Sequence, residues 1–400
     1  MLKWFYEIDC GKGGAEFLRT GFEDGTGKGK VVSPFMRGDP GLPEGPDNRE
    51  SNRGTADHMA DRSGGLISPA TLVDLFRPLE HARKVLLAVS GGPDSVALML
   101  LAAQWAEAVW KAPPLSVASV DHGLRPDSLA EAEQVAEWAA RLGLPHHILR
   151  WEGEKPKTRL QERARDARYG LLIAHAETIG ADYLVTAHHA DDQAETILFR
   201  LLRGSGPRGL KGMESLFQRG ELLHARPLLG MTKAELLAIC DTCRHPFFTD
   251  PSNLDVRFAR ARLRRMERRF ASAGLDRAAL LRLGQRAARA EAVIAERAAA
   301  LRASLPAERA PGFVQLDLAL VSREPEEILL RLIEAEILDL TARERPPRLE
   351  RLEALCTLLR AALLQGKVFK STLGGVRLHL DAGGKLKLCP EKPRGKLARG

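Results

Sequence analysis

The chain has 400 residues, 44% of them hydrophobic, and its 60 Lys and Arg against 52 Asp and Glu leave a formal net charge of +8. This composition excludes a disordered chain and leaves apolar material for two or three domains, while the arginine-weighted basic balance favours a polyanionic partner, nucleic acid above all. Five scattered cysteines do not make a disulfide framework, which points to a reducing cytoplasm, and neither an apolar run of about 18 residues nor a signal-peptide pattern occurs, so no membrane is expected as a partner.

Residues 1–65 are rich in glycine, proline and charge and carry almost no apolar period, which predicts disorder or a mis-annotated extension. Met59 lies just before the first periodic segment, and the expectation is that it is the natural start; peptides from residues 1–58 in the native protein would refute this. The "GTGKGK" of residues 25–30 lacks both a Ser or Thr and a preceding strand, so it is not read as a phosphate loop. Periodicity begins at "LISPATLVDLFRPLE", where Ser68 is placed to cap a short helix.

From residue 85 to about 200, the strand-like runs "VLLAV", "LSVASV", "HHILRW" and "DYLVTA" alternate with helical segments of about 12–20 residues. This βαβα rhythm predicts an α/β doubly wound parallel sheet with ligands beyond the carboxyl ends of its strands. The first run leads into "SGGPDS", Ser90 to Ser95, and then into a helix. There Gly91 and Gly92 let the backbone curl so that N–H groups converge where the helix dipole is positive, which makes Ser90, Gly91, Gly92, Pro93, Asp94 and Ser95 a phosphate cradle. The pattern G-x-x-x-x-G-K-[ST] is absent, which argues against an ordinary ATPase or kinase loop.

"SVDHGLRPDS" follows the second strand and sets Asp121, His122 and Arg125 beside the cradle, with Asp127 or Ser128 expected to cap the next helix. "RARDARYGLL" carries Arg165 and Arg168 on adjacent helical turns, suited to an α-phosphate or to tRNA. After the fourth strand comes "TAHHADDQAETILFRLLRGSGPRGLKGM". His188 and His189 stand at its start, and Asp192 and Glu195, three apart on one helix face, are close enough to share a cation. Paired carboxylates near a triphosphate point to Mg²⁺. A zinc hydrolase is the competing reading, but H-E-x-x-H is absent and the phosphate loop would lack a purpose. Gly204, Gly206 and Gly209 spell G-x-G-x-x-G after a helix instead of a strand, so a flexible loop over the site, bearing Arg203 and Arg208, is expected in place of a dinucleotide fingerprint.

Cys240 and Cys243 form a lone C-x-x-C without a second pair, read as structural cysteines. "DPSNLDVRFARARLRRMERRF" concentrates Arg257, Arg260, Arg262, Arg264, Arg265, Arg268 and Arg269, a guanidinium-rich surface fitted to a phosphate backbone. The division expected is 1–65 as above, 66–270 catalytic, 271–345 a helical tRNA-binding or linker region, and 346–400 a small α+β module whose last residues alternate like two or three short strands.

In their order, "SGGPDS", "VDHGLR", "ARDARY", the "TAHHADDQAETILFRLLRGSGPRGLKGM" stretch, "RPLL" and "DPSN" resemble the tRNA(Ile)-lysidine synthetases, a family of PP-loop ATP pyrophosphatases, over about residues 83–265. Where that family often carries R-N-x-x-R after "DPSN", this chain has Ala261 in "RARLR". The resemblance implies conversion of the wobble cytidine of a CAU-anticodon tRNA(Ile) to lysidine, with ATP and L-lysine as substrates. The 2-oxygen of cytosine is adenylylated with release of pyrophosphate, and lysine's amine then displaces AMP. It further implies Asp94 and Asp192 as Mg²⁺ ligands, Glu195 for the lysine amine or the metal, and His188 and Arg165 for the reacting base or phosphate. A tRNA thiolase using Cys240 and Cys243, and a non-catalytic tRNA-binding protein, are the alternatives; the intact Asp94, Asp192 and Glu195 set speaks against the second.

Overall fold

The computed structural model describes residues 67–156, 158–249, 270–343 and 345–391. The expectations for residues 1–65 and for Arg257, Arg260, Arg262, Arg264 and Arg265 therefore lie outside the described residues.

Strand β1 (Val85–Ala88) is apolar at every position because it is covered on both faces. Val85 and Leu87 pack with Phe76, Leu98 and Trp105, and Leu86 turns the other way onto Ala118, Leu172 and Leu184. Such a strand belongs at the centre of a sheet. The observed order is β3-β2-β1-β4-β6-β5. Here β2 is Leu115–Asp121, β3 His146–Arg150, β4 Tyr183–Val185, β5 Leu216–Arg219 and β6 Leu222–Ala225. The pairings are parallel except for β5 on β6. The doubly wound sheet expected from the sequence is thus present, with an added antiparallel edge hairpin that turns at Gly220.

Helix α1 (Pro69–Phe76) is capped by Ser68, whose Oγ accepts from the N–H of Thr71 at 3.2 Å. Helix α2 (Pro93–Ala108) is buried nearly all round between the sheet, α1 and a later helix, which explains its unbroken run from Val96 to Ala103. Helices α3 (Ser128–Arg141) and α4 (Leu160–Thr178) cover opposite faces, through Val135 and Trp138 and through Tyr169 and Leu172 respectively. The chain leaves β1 for β2 and β3 on one side and then crosses back to β4 on the other. The order reverses between β1 and β4, the place where open sheets of this kind bind ligands.

Past β4 come α5 (Ala190–Leu201), the short α6 (Pro207–Leu210), α7 (Lys233–Thr242) and the 28-residue α8 (Arg277–Ser304), begun by Asp276, whose carboxylate accepts from the Ala279 N–H at 2.7 Å. A second sheet is wholly antiparallel, in the order β7-β8-β11-β10-β9. Its strands are β7 (Ala307–Ala310), β8 (Phe313–Asp317), β9 (Phe369–Leu373), β10 (Val376–Leu380) and β11 (Lys385–Pro390), packed on α9 (Glu326–Thr341) and α10 (Leu349–Leu364). Strands β7 and β8 lie in the segment expected to be helical. The sequence "AERA" of β7 has no apolar alternation because all four residues are exposed at a sheet edge. One core runs from Ala298 through Leu316 and Ile333 to Leu388, so the C-terminal half of α8 belongs to this module. The other half packs on α5, where Leu280 joins Ala194, Ile197 and Leu198. At Gly284 a Cβ would stand 2.5 Å from Ile197 Cδ1, so the helices meet where only glycine fits without displacement.

Candidate active site

A cleft of about 780 Å³ opens at the carboxyl ends of β1 and β4. One wall is the turn from β1 into α2. Ser95 Oγ accepts from the Ser90 N–H at 3.1 Å and donates to the Gly92 carbonyl at 2.9 Å, which fixes the curl. Pro93 takes the first helical position, where its missing N–H is harmless. Gly91 has φ of +82°, and a Cβ there would lie 2.6 Å from the Phe248 ring. The Phe248 N–H donates to the Gly91 carbonyl at 2.8 Å, and its ring stacks on Trp138 at 5.1 Å. The cradle is therefore pinned from beneath by a segment whose role was not legible in the sequence.

Facing the cradle across the gap between β1 and β4 is the start of α5. The side chain of His189 is 5% exposed and lies within 3.6 Å of carboxylate oxygens of Asp94 and Asp191 and 3.5 Å of Asp192. Burial opposes its charge, but the contacts with Asp191 and Asp94 and the charge of Asp192 outweigh it and lift the imidazole to about 9. Asp192 also accepts from the His189 N–H at 3.3 Å. Asp191 is an anchor: it accepts from the Lys233 N–H at 2.9 Å and from Arg277 at 2.7 Å. Its interaction with His189, against the opposing effect of burial, keeps its carboxyl well below the usual range. Asp94, which lines the cleft, has its Oδ1 buried with no hydrogen-bond partner, an acceptor not committed to the protein. Among the described residues no group of three or more His, Cys, Asp or Glu is placed to hold a metal ion. A two-carboxylate site suits Mg²⁺, which keeps waters and takes phosphate oxygens as its other ligands.

His188 points the other way from His189. Its Nδ1 is 2.8 Å from Thr186 Oγ1, which is 2.8 Å from Nε2 of the fully buried His224. Burial, then the Arg226, Arg165 and Arg168 cations, push His188 down to about 2. Burial and the Arg226 and Arg219 cations push His224 down to about 3. Both imidazoles are neutral at physiological pH.

Of the side chains singled out in the sequence, Ser90, Pro93, Asp94, Ser95, His122, Arg125, Ser128, Arg168, His188 and Asp192 line this cleft together with the Gly92 backbone. Asp121 does not; its carboxylate holds the neighbouring turn, accepting from the Gly123 N–H at 2.8 Å and the Ser128 hydroxyl at 2.6 Å. Burial opposes its ionisation, but those hydrogen bonds keep its pKa below the ordinary value. Ser128 thus serves Asp121 instead of capping α3, and Asp127 makes no side-chain cap bond. Arg165 is exposed and stands 5.1 Å over Tyr169, whereas Arg168, one turn on, lines the cleft. Glu195 is on α5 one turn beyond Asp192 and is not part of the lining. Lys233, Phe247 and Phe248 are lining residues that sequence reasoning missed. For Lys233 the available signal was the helix start "TKAE", whose Thr232 and Glu235 form a reciprocal cap.

The Gly204–Gly212 stretch is not the flexible loop expected. Gln193 exchanges two hydrogen bonds with the Met213 backbone at 2.9 and 2.7 Å, and Arg200 donates to the Gly209 and Gly212 carbonyls at 2.8 and 2.7 Å. Arg208 pairs with Glu334 of α9, so it is committed to the protein. Cys240 is buried with its Sγ 3.5 Å from the Pro93 carbonyl; burial first, then Cys243 and nearby acids, push its thiol up to about 11.

Residues 67–267 match the PP-loop domain family. The chain is 52% identical over 322 residues to a tRNA(Ile)-lysidine synthase of Methylobacterium sp. (strain 4-46), covering 80% of this chain and 92% of that one. To the enzyme of the same description from Bradyrhizobium diazoefficiens it is 40% identical over 354 residues, covering 84% and 98%. A solved U34-tRNA thiolase from Methanococcus maripaludis superposes with a TM-score of 0.46 at 15% identity, over 54% of this chain and 78% of that one.

Gly91→Ala tests the cradle. A left-handed non-glycine residue costs roughly 1–2 kcal/mol and crowding a packed site about as much again, so ATP affinity measured by calorimetry is expected to fall at least about tenfold. Unchanged affinity would remove the loop from the nucleotide site.

Proposed function

The chain belongs to the tRNA(Ile)-lysidine synthases, and from that membership we propose how its cleft makes lysidine on the wobble cytidine of a CAU-anticodon tRNA(Ile). The enzyme is an ATP-dependent ligase that forms a C–N bond. In the first step the cytosine 2-oxygen attacks the α-phosphorus of ATP, and the bond to pyrophosphate breaks. In the second, an amine of L-lysine attacks carbon 2, the adenylylated oxygen leaves as AMP, and the amine gives up a proton.

The observation that carries this reading is the orphaned Asp94 Oδ1 beside Asp192, at the head of an anion cradle and at the reversal point of the sheet. The N–H groups of the Ser90–Ser95 turn receive pyrophosphate, with the α2 dipole behind them. Bound by Asp94 and Asp192, a Mg²⁺ ion would neutralise charge on the triphosphate. Arg168 and Lys233 line the same cleft, and so do the imidazoles of His122 and His188, whose charged forms are disfavoured by burial and by neighbouring cations. Preorganised charge of this kind is the main catalytic contribution we assign to the protein. Asp121 shapes the turn that presents His122. Arg165, outside the cleft, acts with Arg168 as part of the surrounding positive field. Glu195 is proposed for the lysine ammonium. The net charge of +8 and Arg257, Arg260, Arg262, Arg264 and Arg265 supply the proposed contact with the tRNA phosphates. The cysteines among the described residues are free, which suits the cytoplasm, and no helix there is long and apolar enough to cross a membrane. Sulfur delivery through Cys240 is disfavoured, because a buried thiol with a raised pKa stays protonated and is not the nucleophile a thiolase needs.

Asp94→Ala and Asp192→Ala are expected to lower tRNA-dependent release of pyrophosphate on the order of a thousandfold, while filter binding of the tRNA stays within about twofold of the parent. Near-normal pyrophosphate release in either variant would overturn the assignment of those carboxylates.

A further inference from the structure

His188, Thr186 and His224 form a chain of two 2.8 Å contacts running from the cleft to a fully buried imidazole. Thr186 Oγ1 is buried between the two rings with no other hydrogen-bond partner among the described residues, so accepting from both would orphan its one hydrogen, and it donates to one ring and accepts from the other. Both rings are neutral, so each carries one N–H. Two arrangements satisfy this count. In one, His224 Nε2–H donates to Thr186, the Thr186 hydroxyl donates to His188 Nδ1, and His188 bears its hydrogen on Nε2. In the other every bond reverses, and His224 must carry its hydrogen on Nδ1. That Nδ1 is buried and has no hydrogen-bond partner. A buried N–H without an acceptor is the rarer and costlier orphan, whereas a bare ring nitrogen forfeits a weaker interaction. Among the ring's neighbours are the aromatic side chains of Phe217 and Tyr169, at 4.8 and 5.6 Å between centroids.

We infer that Thr186 and His224 are positioning residues that hold His188 in its Nε2–H form, so that His188 meets the reacting oxygens as a hydrogen-bond donor and not as a base. The inference rests on the lysidine reading for the identity of those oxygens. The geometry offers the α-phosphate and the cytosine 2-oxygen a neutral N–H, which strengthens as negative charge develops on them. The proton surrendered by lysine's amine then goes to a carboxylate or to water, not to His188, whose Nδ1 already accepts from Thr186.

The test is a long-range proton–nitrogen correlation spectrum of the full chain labelled with ¹⁵N-histidine, with His188 identified by its loss in His188→Gln. The expected spectrum has a protonated Nε2 and a bare Nδ1 for His188. The nearly isosteric Thr186→Val should give a mixture of tautomers and lower kcat for AMP formation roughly tenfold to a hundredfold, with KM for ATP within about twofold. Thr186→Ser should restore both. A wild-type His188 protonated on Nδ1 would overturn the inference, as would Thr186→Val with tautomer and kcat unchanged. The wild-type spectrum decides the matter even if Thr186→Val fails to fold. It needs no turnover, so a protein that made no lysidine would refute the functional reading while leaving the tautomer result to stand or fall alone.

Discussion

A buried imidazolium holds the centre of this molecule together. His189 is lodged among Asp94, Asp191 and Asp192, and these residues come from the two chain segments that leave β1 and β4. A charge taken out of water is tolerable only if compensated, and removing one partner of such a group typically costs about 3–5 kcal/mol. The two strand exits are therefore held in register by electrostatics as well as by the sheet. Asp191 carries the brace outward, to the first residue of α7 through the Lys233 N–H and to the first residue of α8 through Arg277. The Ser90–Ser95 turn, the helix bearing Asp192 and the start of the long helix are thus parts of one charged cluster.

Helix α8 makes that cluster matter beyond the cleft. Its first half lies on α5 at glycine-close range, and its second half is part of the core of the C-terminal module. Inside that module, the fully buried Glu336 is held by Arg302 at 2.9 Å and Arg309 at 2.6 Å, so the far end of α8 is tied to α9. Arg208, from the glycine-rich stretch after α5, reaches Glu334 on α9 as well. The helix that presents Asp192 is consequently packed against, and ion-paired through the stretch after it to, elements of the C-terminal module.

Much of this was legible in the sequence, for identifiable reasons. Strands buried on both faces read as unbroken apolar runs, and a glycine turn between such a strand and a helix has few purposes besides binding an anion. The ordered motifs then pointed to one family. What the sequence concealed was direction. Adjacent residues in extended backbone, as at His189, face opposite ways, and nothing in "HHADD" says that it is His188 that lines the cleft and His189 that turns inward. Arg165 and Arg168 differ by one helical turn, and only tertiary packing selects the second. Lys233 and Phe248 reach the cleft from segments more than 40 residues past the nearest motif histidine. Strands β5 to β8 are short and sit at or near sheet edges, where weak alternation is all that folding requires. The glycines after α5 look like a flexible loop in sequence, yet Gln193 and Arg200 bond to the backbone of this stretch.

The most direct measurement is mass spectrometry of nucleosides from a CAU-anticodon tRNA(Ile) transcript incubated with the protein, ATP, Mg²⁺ and L-lysine, with tRNA(Met) alongside. The account predicts a lysine-sized mass gain on one cytidine of the isoleucine tRNA and none on the methionine tRNA. ATP cleaved to AMP with no lysine-dependent gain on that cytidine would contradict it.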